Sequence, residues 1–223
     1  MAAGCRRDSH QDDGVTFSKL LKRKMKVGII ILAAGNSSRM EGEPKQLLKF
    51  KGQSLLRRAA ETALKTDCRP VLVVLGANAE RLRSEVEDLP LIIEINQNWA
   101  RGMGGSLKTG LSKLLEIETE SDAVIVSLCD QPRVAAEIYN RLIILQQETG
   151  KPIVASEYEN ITGVPALFAR VMFDELLSLQ GDTGAKFVIK KYADSVEKIS
   201  VSEAASDVDT KQDYERLLRD FSV

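Results

Sequence analysis

The 223-residue chain has one histidine, His10, and three cysteines, Cys5, Cys68 and Cys129. His10 lies in a polar leader, so Ser-His-Asp and Cys-His catalysis are excluded unless the leader folds back on the core. The cysteines are too few and too scattered for a disulfide framework. None has C-x-x-C spacing, which speaks against a zinc site and fits a reducing cytoplasm. No apolar run reaches transmembrane length. Neither sign of charge dominates: Lys plus Arg is 31, Asp plus Glu is 32, and the net charge is -1. Wholesale binding to nucleic acid or to an anionic membrane is disfavoured by that balance. Two common phosphate-binding patterns, G-x-x-x-x-G-K-[ST] and G-x-G-x-x-G, are also missing from the first strand–loop segment, so neither a P-loop NTPase nor a dinucleotide-binding domain of the usual kind is indicated.

What the chain does contain is a packed core. Hydrophobic residues make up 43% of it, and its length suits one sizeable α/β domain. Residues 1–25 are polar and mixed in charge and read as a disordered leader; residues 26–223 read as the folded domain. From Val27 apolar runs alternate with helical patterns. Strands are predicted at Val27–Ala33, Val71–Leu75, 91–95, Ala123–Leu128, 153–156 and 196–199. A strand pair broken at Gly163 and Pro165 is expected over 158–168. Helices are expected near 54–65, 79–86, from Ser106 onward, 135–148, 171–179, 184–192 and 211–221. Such alternation implies a doubly wound, mostly parallel sheet, whose ligands sit beyond the carboxyl ends of the strands.

Three segments follow strand ends. Leu32, Ala33, Ala34 and Gly35 end the first strand with small residues, which let backbone N–H groups approach a phosphate or a base. Arg39 and Lys45 follow and can neutralise a polyphosphate. Alone, the same loop reads equally as a tight strand-to-helix turn with two surface cations. Asn98 to Ser106, containing Gly102 and Met103, is a glycine-rich loop opening a helix, which offers free N–H groups to a polar ligand; a plain flexible loop is the other reading. Asp130 ends the fourth strand and can bind Mg²⁺ together with substrate phosphates, with a second carboxylate from Asp209 or, alternatively, Asp207. As isolated aspartates, Asp130 and Asp209 read as turn or capping residues. Gly163, Pro165, Asp182 and Gly184 stand in turn-rich stretches suited to the far wall of a cleft.

Taken together, these motifs resemble the molybdenum cofactor cytidylyltransferases and the related nucleotidyltransferases associated with xanthine dehydrogenase-type enzymes. The matching pieces are Leu32-Ala33-Ala34-Gly35-x-Ser37-x-Arg39-Met40, Pro44-Lys45-Gln46-Leu47-Leu48, Trp99-x-x-Gly102-Met103-x-x-Ser106-Leu107, Asp130-Gln131-Pro132, Gly163-x-Pro165-x-Leu167-Phe168, Gly181-Asp182-x-Gly184-Ala185 and Asp207-Val208-Asp209-Thr210. The resemblance implies a single-domain glycosyltransferase-A-like nucleotidyltransferase fold. By it, Leu32, Ala33, Ala34 and Gly35 contact the nucleotide, while Arg39 and Lys45 bind the triphosphate. Asp130 holds Mg²⁺ with Asp209, and Gly102, Met103 and Ser106 help select the base. Gly163, Pro165, Asp182 and Gly184 face the acceptor. Its Leu-Ala-Ala-Gly form is associated with CTP, so Ala34 points to CMP transfer from CTP to a molybdopterin-type phosphate monoester, in the cytoplasm, with a molybdenum hydroxylase apo-enzyme as a further partner. Guanylyl transfer, transfer to a sugar or alditol phosphate, and a non-catalytic cofactor carrier are the alternatives. The family pattern Arg-Met-Gly-x-Pro-Lys is longer here by one residue, and Glu41 occupies the expected glycine; the loop is expected either to bulge or to set Glu41 and Glu43 against the phosphates.

Overall fold

The computed structural model describes residues 24–40, 43–205 and 207–221. The expected leader up to residue 23, with Cys5 and His10, lies outside the described residues, as do Glu41 and Gly42.

Strand β1 (Val27–Ala33) is buried at every position. A short antiparallel pair, β2 (Lys49–Phe50) and β3 (Gln53–Ser54), leads into helix α1 (Leu55–Leu64). The Ser54 side chain caps that helix by accepting from the Arg57 N–H at 3.2 Å, a contact that adds about 1 kcal/mol to such a terminus. There follow β4 (Val71–Leu75), α2 (Ala79–Arg83), β5 (Ile92–Ile95), α3 (Met103–Ile117), β6 (Ala123–Leu128), α4 (Ala136–Thr149), β7 (Ile153–Tyr158), β8 (Ile161–Ala169), α5 (Phe173–Leu177), α6 (Ala185–Lys191), β9 (Val196–Ser200) and α7 (Lys211–Asp220).

Seven strands form one sheet in the order β5-β4-β1-β6-β8-β7-β9. Strands β5, β4, β1 and β6 run parallel, β8 is antiparallel to both β6 and β7, and β9 is parallel to β7. The sheet is therefore mixed and mostly parallel, as expected from the alternation. Apolar side chains cover both faces. Ile29, Ile31 and Ala33 point into one core with α1 and α4, while Ile30 and Leu32 point into the other with α3, α5 and α6. Alternate burial on two faces is why β1 is an unbroken apolar run.

Two expectations need correction. Residues 158–168 do not form a strand pair. Tyr158 ends β7, Glu159 and Asn160 turn with positive φ, and Ile161–Ala169 is one continuous strand. Gly163 and Pro165 do not break it, because a register shift at Ala155/Ser156 of β7 accommodates them and the Ser156 hydroxyl donates to the Pro165 carbonyl at 2.7 Å. The second correction is the start of α3, which is at Met103, not Ser106. Glycine makes that earlier start possible: Gly102 has φ 109°, and Gly104 lies against the Gln180 and Thr183 backbone with no room for a side chain.

Helix α3 touches the sheet through Gly110. A Cβ there would lie 2.7 Å from Val74 Cγ2 and 2.9 Å from Ile30 Cγ2, both stiff branched stubs. Gly110→Val is expected to destabilise the protein by about 1–3 kcal/mol through overpacking, read as a lower midpoint in urea unfolding.

Candidate functional site

Strands β1 and β6 are parallel neighbours, with Leu32 opposite Leu128. Their carboxyl ends therefore lie side by side, and Cys129 N–H donates to the Leu32 carbonyl at 3.4 Å. The chain runs outward from β1 through β4 to β5, then returns to β6 on the other flank. This reversal opens a crevice at the strand ends, the position where open α/β sheets bind ligands. A cavity of about 610 Å³ occupies it.

Leu32, Ala33, Ala34, Gly35, Arg39, Lys45, Gly102, Met103, Ser106, Asp130, Asp182, Asp207 and Asp209 all line that cavity. Gly163, Pro165 and Gly184 do not. Gly163 sits against the Tyr158 ring, and Gly184 sits against the Met103 side chain. Glu43 points elsewhere, pairing with Arg81 at 2.9 Å on the exposed surface, and is not among the residues lining the cavity.

Lys45 begins a single helical turn, Lys45–Leu47, after Pro44. Its ammonium hydrogen-bonds Asp130 Oδ2 and, at 2.7 Å, Asp209 Oδ1. Its side chain is 15% exposed and that of Asp130 is 12% exposed. Asp209 also meets Arg39 at 3.3 Å. Burial by itself would lower the Lys45 pKa, but the Asp130 charge and the hydrogen bonds to Asp130 and Asp209 outweigh it and hold the ammonium above the ordinary lysine range. For Asp209, burial raises the pKa, yet the Lys45 and Arg39 contacts win and hold it below the usual carboxylate value. Asp207 goes the other way. Burial, helped by the Asp130 charge, pushes it up to about 6 against the hydrogen bond from Gln131 Nε2 at 2.9 Å. Thr210 caps α7 with a reciprocal capping box to Asp213, which frees Asp209 from that task. Val208 N–H donates to the Asp130 carbonyl at 3.0 Å and so draws Asp207 and Asp209 to the rim.

Sequence reasoning missed the polar residues that hold this rim in place. Gln46 is buried and hydrogen-bonds the β1 loop. Gln131 ties the 130–132 segment to Val164, Ala204 and Asp207. Asn96 donates to the Ser106 hydroxyl at 3.0 Å. Each is an amide in a buried setting; Asn96 and Gln131 stand just past the apolar strands β5 and β6, which was the available signal, while Gln46 lies in the turn after Pro44.

A family model described as "MobA-like NTP transferase domain" matches residues 29–196. The chain belongs to this family. It is 30% identical over 200 residues to the nicotine blue oxidoreductase of Paenarthrobacter nicotinovorans, covering 85% of this chain and 95% of that protein. With the purine catabolism protein PucB of Bacillus subtilis (strain 168) it shares 28% identity over 203 residues, 86% of this chain and 96% of the relative. Among solved structures, Rv0371c of Mycobacterium tuberculosis H37Rv in complex with manganese superposes with a TM-score of 0.73 and 26% identity, over 89% of this chain and 100% of that one. The MobA-like chain is a nucleotidyltransferase domain with the sheet and site rim described above. Among its described residues no helix is long and apolar enough to cross a membrane.

The Asp209 shift has a definite sign. A carboxylate held below its usual value of 3.8 contributes stability that is present above that pH and is lost as pH falls through the folded-state value. Asp209→Asn is therefore expected to cost stability at neutral pH, and the gap to the native protein should close as pH drops below 3.8, checked by guanidinium unfolding over the acid range.

Proposed function

We propose that this MobA-like nucleotidyltransferase transfers CMP from CTP to a phosphate monoester acceptor of the molybdopterin type, releasing pyrophosphate. The observation that carries the reading is the Lys45 ammonium, held between Asp130 and Asp209 in the cavity that Leu32, Ala33, Ala34 and Gly35 also line. One acceptor phosphate oxygen attacks the α-phosphorus of the nucleotide; the bond from that phosphorus to the bridging oxygen breaks, and both its electrons leave with pyrophosphate. The acceptor phosphate is largely ionised near neutral pH, so no general base is required, in keeping with a described cavity lining that contains no histidine. Catalysis is then positioning plus charge neutralisation. Lys45 neutralises charge around the α-phosphate, and Arg39 meets the leaving pyrophosphate.

The donor set fits a divalent cation. Asp130 Oδ1 is buried with no hydrogen-bond partner among the described residues, and Asp130 and Asp209 already converge on one cationic group. Among the described residues no three His, Cys, Asp or Glu side chains are placed to hold a metal ion by themselves, and Mg²⁺ needs only one or two carboxylates when phosphates and water supply the remaining ligands. Asp130 and Asp209 would hold it, and it would supply positive charge to the triphosphate. Asp207 is instead engaged by Gln131 Nε2 at 2.9 Å. Manganese in the Rv0371c complex supports the reading.

Gly35 adds a second line of support. A Cβ on it would meet nothing within 4 Å, and its φ is not in the left-handed region. Folding does not require glycine there, whereas close approach of a ligand does. Leu-Ala-Ala-Gly and the resemblance it carries favour cytidine over guanosine.

Asp130→Ala is expected to lower pyrophosphate release with CTP and Mg²⁺ by at least about a hundredfold; undiminished release would overturn the site assignment. A panel of CTP, GTP, ATP and UTP in the same assay separates cytidylyl from guanylyl transfer. Molybdopterin binding without turnover would mark a carrier, and a redox change of nicotine blue would favour the activity named in the oxidoreductase relative. Gly35→Ala should leave thermal stability unchanged or slightly higher while raising the KM for the nucleotide about tenfold, the equivalent of about 1.4 kcal/mol.

A further inference from the structure

Gln46 is 1% exposed, yet it follows the lysine that faces the cavity. Its side-chain nitrogen donates to two carbonyls of the β1 loop, Gly35 at 2.8 Å and Ala33 at 3.2 Å. Its oxygen accepts from the Ser37 hydroxyl at 3.0 Å. Ser37 in turn accepts from the Lys45 backbone N–H at 3.0 Å. Two carbonyls can be satisfied only by the NH₂ end of the amide, so the orientation of Gln46 follows from the chemistry of its neighbours. Ser37 holds φ 54°, a left-handed conformation that a serine adopts at a cost.

The geometry has a consequence for the nucleotide loop. Neither the Ala33–Ala34 nor the Gly35–Asn36 peptide bond is cis. In a trans peptide the carbonyl and the following N–H point in opposite directions. Holding the Ala33 and Gly35 carbonyls toward Gln46 therefore turns the N–H groups of Ala34 and Asn36 away from it. The Asn36 N–H has no acceptor among the described residues and stays available to a ligand. The same network, through Ser37, ties the backbone of Lys45 to the loop.

We propose that Gln46 and Ser37 are positioning residues: together they set the loop N–H groups and the Lys45 ammonium in register for one phosphate-bearing ligand. This inference rests on the proposed nucleotide site. At metal sites, mutation of such supporting hydrogen-bond partners typically lowers affinity or activity by about 10–100-fold, and the same scale is taken for this loop; residues that act as a unit are non-additive.

The test compares Gln46→Met, Ser37→Ala and Lys45→Ala with the two double variants that combine either of the first two with the third. Each is assayed for CTP-dependent pyrophosphate release and for CTP affinity by calorimetry. Gln46→Met and Ser37→Ala should each lower kcat/KM about tenfold or more, but should lower it less than about threefold when added to Lys45→Ala. Activity within twofold of the native protein for both single variants, or losses that multiply in the double variants, would overturn the proposal. A purely structural role predicts multiplied losses and matching falls in thermal stability. If Gln46→Met does not fold, Ser37→Ala, half-buried in the loop, carries the same comparison alone. A native chain that binds CTP without turnover counts against the proposed transfer only, and the variants are then ranked by affinity. A native chain that binds no nucleotide sinks both.

Discussion

Burying an ammonium group removes it from water at a cost of several kcal/mol unless opposite charge and hydrogen bonds replace the lost hydration. Lys45 meets this requirement with Asp130 from the end of β6 and Asp209 from the segment before α7. The three residues lie far apart in the chain, so the pairing ties the loop after β1, the end of β6 and the C-terminal segment to one point. The rest of the rim is built around it. Val208 docks on the Asp130 backbone, Thr210 takes over the helix cap, and Gln131 holds Asp207 to one side. A cluster of charge that would be costly in a closed core is thereby placed on the lining of an open cavity.

Glycine serves two purposes on this rim. Gly76, Gly102 and Gly104 are there because other chain segments leave no space: the Ala34 carbonyl crowds Gly76, Gly181 crowds Gly102, and the Gln180–Thr183 backbone crowds Gly104. They bring the β1 loop, the β4 end, the start of α3 and the 180–184 turn into one wall. Gly35 faces open space. Packing explains the first three, whereas no packing contact requires a glycine at position 35.

Much of the sheet was legible. Val27–Ala33, Val71–Leu75 and Ala123–Leu128 have the predicted limits, because strands buried on both faces are written as unbroken apolar runs with sharp polar ends. The strand across Gly163 and Pro165 was misread, since local breaker signals cannot reveal a partner strand whose shifted register absorbs them. The start of α3 was misplaced for a related reason: its first turn is glycine-rich and draws its support from the Gly181 carbonyl, not from a side-chain cap.

By itself the sequence determined the α/β class and the three motifs at strand ends, because hydrophobic periodicity and residue type are local properties. Tertiary structure alone decided which carboxylate meets Lys45, that Glu43 turns to Arg81, that Asp182 reaches the cavity while Gly163, Pro165 and Gly184 do not, and that a buried glutamine grips the loop after β1. Those outcomes depend on parallel strand pairing and on hydrogen bonds between segments up to 164 residues apart, and neither is encoded in the spacing of any single motif.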